Sequence, residues 1–248
     1  MPRIKLTLEY DGTQYVGWQA QTNGPAIEER VRAALRQLLG EEVQLEAATR
    51  TDSGVHALGQ VACFVTSRTL PMKAYSMGLS DLLPRDIAVV RASEVPESFD
   101  PRRDAKGKRY RYLISNRSSR SPIRRRTHWE VFQPLDVPAM RRGAPFLLGE
   151  HDFSAFQAAD CQAGHPRRDV RALNVETGQG DEITVLIEGT AFLKHMVRNI
   201  VGSLVEVGRG RRSAEWIGEV LESRDRTLAG PTAPPHGLTL LEVLYACG

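Results

Sequence analysis

Apolar and polar residues alternate from the first positions of the chain. Ile4, Leu6, Leu8 and Tyr10 are separated by Lys5, Thr7 and Glu9, a period of two that predicts a strand over 4–10 with one buried face. Pro25, favoured at the first helical position, then leads Ile27, Val31, Ala34, Leu35, Leu38 and Leu39, the spacing of an amphipathic helix that Gly40 ends. Strands over 43–48 and 60–66, a helix over 72–80 and a strand over 86–91 follow. From Lys108 the order recurs: a strand over 108–115, a helix over 137–148, strands over 170–176 and 183–188, further helices and a last strand over 238–245. This element order predicts an α+β protein of two ferredoxin-like halves, residues 1–105 and 106–248. The stretch 115–128, rich in Arg and Ser and holding Pro122, is the expected linker or hinge.

Composition narrows the class. Of 248 residues, 41% are hydrophobic and 25% charged, ordinary for a globular protein, and no apolar run approaches the ~18 residues that span a bilayer. The strand-like start lacks the apolar block of a signal peptide, so the expected location is the cytoplasm. Cys63, Cys161 and Cys247 are odd in number, far apart and form no Cys-x-x-Cys, which predicts reduced, buried thiols and no thiolate metal site.

The distribution of charge changes the picture more than its sum. Residues 102–126 hold eleven of the 33 Lys and Arg against one of the 30 Asp and Glu, Asp104, while the rest of the chain is acidic. So concentrated a field suits a polyphosphate partner and favours nucleic acid, the alternative being a solvated basic loop. In Arg109-Tyr110-Arg111-Tyr112 the period of two puts both tyrosines on one face and both arginines on the other. Either the tyrosine face stacks a base or it faces a core.

The candidate chemistry lies in Arg50-Thr51-Asp52-Ser53-Gly54-Val55-His56-Ala57-Leu58-Gly59-Gln60, a polar loop running into the apolar Val61-Ala62-Cys63-Phe64-Val65. In an extended segment Arg50 and Asp52, two apart, point to one face. A second stripe follows: Phe192, Met196, Ile200 and Leu204 recur every four positions, with Lys194, His195, Arg198 and Gly202 on another face. Gly202 costs a helix about 1 kcal/mol relative to alanine, which points to something passing close by. The rigid run 229–238, with Pro231, Pro234 and Pro235, leads into the final strand.

Together these motifs resemble the TruA family of tRNA pseudouridine synthases. The resemblance covers nearly the whole chain, because Glu9-Tyr10-Asp11-Gly12-Thr13, Gly17-Trp18-Gln19, Leu83-Pro84-Arg85-Asp86-Ile87, Lys108-Arg109-Tyr110-Arg111-Tyr112, His151-Asp152-Phe153, 192–202 and 229–238 look like family landmarks in family order. It implies a homodimer whose subunits carry two ferredoxin-like halves, with antiparallel sheets joined across a central catalytic cleft. It implies an isomerase that converts uridines 38, 39 and 40 of the tRNA anticodon stem-loop to pseudouridine, with base flipping and with neither metal nor organic cofactor. By motif position Asp52 is the catalytic aspartate, Arg50 helps hold the flipped nucleotide, Tyr110 packs against the target base, and Arg198 stands near the catalytic carboxylate. Thr49, Ser53, Ser80 and the run 100–104 depart from the family pattern and bear on RNA contacts more than on chemistry. A noncatalytic RNA-binding protein and a carboxylate-dependent nucleoside or glycoside hydrolase are the competing classes. The first could dispense with Asp52, and the second needs a paired acid.

Overall fold

The computed structural model describes residues 1–246, so Cys247 lies outside the described residues. The chain packs as two compact units. One is Met1–Lys106 with the chain from Thr239 onward, and the other is Gly107–Leu238. The sequence places the last strand with the second half; here it packs within the first unit.

In the first unit, β1 (Arg3–Tyr10) lies antiparallel between β3 (His56–Val65) and β4 (Ile87–Val95). The short β2 (Glu46–Ala47) pairs with β3 at Ala62 and Cys63, and β10 (Leu238–Leu244) pairs with β3 at His56 and Ala57. Alternation explains β1: Ile4, Leu6 and Leu8 are wholly buried, opposite Phe64, Ala62 and Gln60 of β3. Helix α1 (Ile27–Leu39) buries Ile27, Val31, Ala34, Leu35 and Leu39, and Gly40 caps it in the left-handed conformation. The helix expected over 72–80 contains a wide π turn, Ala74–Gly78, before α2 (Leu79–Leu82). The Ser80 hydroxyl donates to the Ser76 carbonyl and accepts from the Val89 N–H, tying this stretch to β4.

The second unit carries β5 (Gly107–Ser115), β9 (Glu182–Gly189), β8 (Arg167–Thr177) and β7 (Gly149–Asp152), side by side and antiparallel, with β6 (Trp129–Glu130) parallel to the end of β5. Tyr110, Tyr112 and Ile114 of β5 face Ile187, Val185 and Ile183 of β9 on the buried side. Helices α3 (Val137–Gly143), α4 (Met196–Gly208) and α5 (Trp216–Ser223) complete this unit. Pro145, without an N–H, ends the α-helix expected over 137–148 early and leaves a 3-10 turn, Ala144–Leu147.

Two expectations need correction. The β3–β10 and β5–β6 pairings are parallel, so the sheets are mixed and not wholly antiparallel: each of these strands returns after a long excursion instead of a hairpin. The stretch 115–128 is no linker, because it lies inside the second unit and the chain passes between units at Lys106–Gly107. Among the described residues no helix is long and apolar enough to cross a membrane.

Candidate active site

In the first unit the loop bearing Asp52 is docked on residues 10–18. An isolated antiparallel bridge joins Asp52 to Gly17, and the Trp18 N–H donates to the Thr51 carbonyl at 3.1 Å. The Gly54 N–H and the Ser53 hydroxyl both donate to the Tyr15 carbonyl at 3.2 Å, and the Val55 N–H closes the turn onto the Asp52 carbonyl at 3.1 Å. Gly17 makes this docking possible. Its φ is +110°, and a Cβ there would stand 2.5 Å from the Thr51 carbonyl oxygen. The alternation is as expected: Thr51 is buried with its hydroxyl 2.8 Å from that of Tyr10, while Arg50 is exposed and Asp52 half-buried.

Two further side chains brace this corner. The buried His56 accepts the Gly12 N–H at Nδ1, 3.1 Å away. The Asp11 carboxylate is 3.2 Å from the same nitrogen. The Tyr15 hydroxyl donates to Asp86 at 2.7 Å, and burial, then this bond, push its pKa up. Sequence reasoning misses Tyr10, Tyr15 and His56 as supports, because their partners lie 41 to 71 residues away.

In the second unit Tyr110 is 7% exposed, with its ring edge-on to Phe192 at 5.2 Å. Tyr112 is a core residue: its hydroxyl donates to the Pro234 carbonyl at 2.7 Å, and burial raises its pKa. The two faces foreseen for β5 hold, since Arg109 on the other face donates to Glu188 through Nε at 3.0 Å and Nη2 at 2.8 Å.

The stripe 192–202 folds differently from its spacing. His195 is the N-cap of α4 in the left-handed conformation (φ 62°), so Lys194 and His195 precede the helix and share no helical face with Arg198. Asn199, Gly202 and Ser203 are buried together with the apolar positions, so α4 shows no basic solvent-facing stripe. A Cβ on Gly202 would overlap the Pro231 carbonyl oxygen, which is the close approach the glycine foretold. Arg198 holds the run 229–238 at two points: its Nε donates to the Ala233 carbonyl at 2.8 Å, and its own carbonyl accepts the Ala233 N–H at 3.2 Å.

The basic segment is less concentrated in space than in sequence. Glu188 takes Arg109, and Asp181 takes Arg124 at 2.8 Å and lies 3.8 Å from Arg117. Lys108 is buried, whereas Arg120, Arg125 and Arg126 are exposed around Ile123, itself 94% exposed. The hydroxyl of Ser115, then Arg124, hold the Asp181 carboxyl below its usual range. Cys63 is buried, which pushes its thiol up to about 12, and Cys161 is half-buried. Among the described residues no three His, Cys, Asp or Glu side chains group to hold a metal ion.

A polar loop with one acid, delivered at the head of a central strand, offers a carboxylate suited to nucleophilic or acid–base chemistry. A family model described as tRNA pseudouridine synthase matches residues 7–103 and 144–246, stretches that hold Arg50, Asp52 and Arg198 and flank Tyr110. The chain belongs to that family, the TruA family of its sequence resemblance, whose members are isomerases. It is 64% identical to tRNA pseudouridine synthase A of Myxococcus xanthus over 248 residues, all of this chain and 94% of the relative. It is 47% identical to tRNA pseudouridine synthase A of Geotalea uraniireducens over 245 residues, 99% of this chain and 100% of the relative. A crystal structure of a Cbf5-Nop10-Gar1 complex aligns with 82% of this chain and 45% of that one at 14% identity, with a TM-score of 0.37, too slight a likeness to bear on function.

Proposed function

We propose that the protein isomerises uridine to pseudouridine at positions 38, 39 and 40 of the tRNA anticodon stem-loop. Asp52 is the catalytic group in this reading, and Arg50, Tyr110 and Arg198 bind the substrate: Arg50 helps hold the flipped nucleotide, Tyr110 packs against the target base, and Arg198 stands near the catalytic carboxylate. The reaction breaks the bond from ribose C1′ to uracil N1, turns the base over and joins C1′ to C5. Atoms balance without any co-reactant, and the proton on C5 leaves as one returns to N1. The family's ferredoxin-like description of the two units, a cytoplasmic location and a homodimer belong to the same reading.

The observation that carries it is the docking of the Asp52 loop: a carboxylate on a turn fixed at Gly17, Tyr15 and Trp18 is pre-organised for one geometry of attack or proton removal. A noncatalytic RNA-binding protein has no need of that rigidity around an acid. The test compares the wild type with Asp52→Asn on unmodified tRNA, mapping pseudouridine by chemical modification and primer extension and measuring tRNA binding in parallel. Pseudouridine at 38–40 with the wild type alone, and binding retained by the variant, is the expected result. Binding without modification by the wild type would replace the synthase by a binding module.

A further inference from the structure

Arg226 stands outside every motif of the sequence resemblance, yet its side chain bonds a residue of α4 and two of the run 229–238. Its Nη1 donates to the Gly230 carbonyl at 3.0 Å, and its Nη2 donates to Asn199 Oδ1 and Thr232 Oγ1, each at 3.1 Å. These acceptors are neutral oxygens. A half-buried cation held by neutral acceptors is an expensive way to fasten a loop, since burial disfavours the charge and neutral oxygens offset it less than a carboxylate would. Its planar fork, however, can hold Asn199, Thr232 and Gly230 in one fixed relation, as a single ammonium could not.

Each partner is fixed in turn. Asn199 is wholly buried, its Nδ2 donating to the Phe156 carbonyl at 2.7 Å and its Oδ1 accepting the Thr232 hydroxyl at 2.7 Å. The Ser203 hydroxyl donates to the Asn199 carbonyl at 2.8 Å and accepts the Gly230 N–H at 2.9 Å. The chain then reaches Ala233, whose N–H and carbonyl bond the carbonyl and Nε of Arg198. A guanidinium is planar, so fixing Nε against Ala233 sets the directions of both terminal nitrogens.

We propose that Arg226 is a positioning residue for Arg198: through Thr232 and the loop to Ala233 it sets the direction in which the Arg198 guanidinium meets the substrate. The proposal rests on the substrate-binding role given to Arg198 in the proposed reaction. Arg226 itself touches no reacting atom. It acts by keeping the Ala233 carbonyl where Arg198 Nε needs it, and a displacement of about 1 Å there is enough to cost up to a hundredfold in rate.

The test uses the full chain and unmodified tRNA, with single-turnover rates read over hours at saturating enzyme and tRNA binding measured separately. Arg226→Lys keeps the charge and loses the fork, and Thr232→Val keeps the shape and loses the hydroxyl. Each is expected to lower the rate by about tenfold or more while the Kd for tRNA stays within about twofold, and Arg226→Lys added to Arg198→Lys is expected to change the rate by less than about twofold. A purely structural clamp would instead lower the melting temperature and leave the rate of the folded variant intact, or give losses that multiply with that of Arg198→Lys. Either result overturns the proposal. If Arg226→Lys does not fold, Thr232→Val alone decides on the same two readouts. Absence of pseudouridine with the wild type would sink the proposed function instead, and is seen before any variant is compared.

Discussion

The carbonyl oxygen of Pro231 occupies the space that a side chain on Gly202 would need. Helix α4 and the run 229–233 therefore approach at backbone distance, and Gly230 answers from the other side, where a Cβ would stand 2.7 Å from the Ser203 Cα. Gly202→Ala is expected to push this run away from α4 and to destabilise the fold by about 1–3 kcal/mol, as overpacking does. Because Arg198 is bonded to Ala233 in the same run, pseudouridine formation should fall more than stability explains. Thermal melts beside rates measured well below the melting temperature check this, and an unchanged melt would deny the close approach.

Gly17 plays the corresponding part for Asp52. Gly17→Ala places a side chain at a φ of +110° and against the Thr51 carbonyl oxygen, at a cost of about 1–3 kcal/mol. The bridge to Asp52 should open, so the rate should drop by at least about tenfold while tRNA binding persists. Parallel rate and binding assays on the folded variant decide it.

The arginines of 120–126 should separate into two kinds. Replacing Arg125 and Arg126 by serine is expected to weaken tRNA binding and to lower the slope of log affinity against log salt by roughly 0.7–0.9 per charge removed. Arg124→Ala should instead lower stability, because it deprives Asp181 of one of its partners. Binding titrations at several salt concentrations, with a melt for each variant, test the division. An unchanged slope would remove the exposed pair from the interface.

Acid should act partly through Asp181. Its carboxyl is held below the ordinary value of 3.8 by Ser115 and Arg124, so the folded state binds this proton less readily than the unfolded chain. The stability it contributes is present above that ordinary value and is lost as the pH falls through the lower folded value. Denaturant midpoints at pH 7 and pH 3 should therefore converge in Asp181→Asn relative to the wild type. Equal sensitivity of the two proteins to acid would assign the loss to other carboxylates.

Much of this molecule is legible in its sequence where signals are local. Alternation gives β1, β5 and β9, the four-residue spacing with Gly40 gives α1, and the Arg50–Gln60 motif marks the loop that proves to be docked on 10–18. What the sequence conceals depends on distant partners. Spacing makes Lys194 and His195 part of a helical face, but His195 turns left-handed and the helix starts after it. The charge run 102–126 reads as one field until Glu188 and Asp181, far along the chain, are seen to take several of its members. Arg226 gives no signal at all, since its meaning lies in oxygens that folding brings to it.

The first unit is discontinuous along the chain, and this has a consequence during synthesis. Residues up to Lys106 emerge with β1, β2, β3 and β4, but β10, which lies against β3 at His56 and Ala57, leaves the ribosome only after the whole second unit. Until then the start of β3, the strand that follows directly on the Asp52 loop, lacks that neighbour. The loop is thus completed on its strand side only once the second unit has been made. A nascent chain stalled within the second unit would carry Asp52 on an unfinished support.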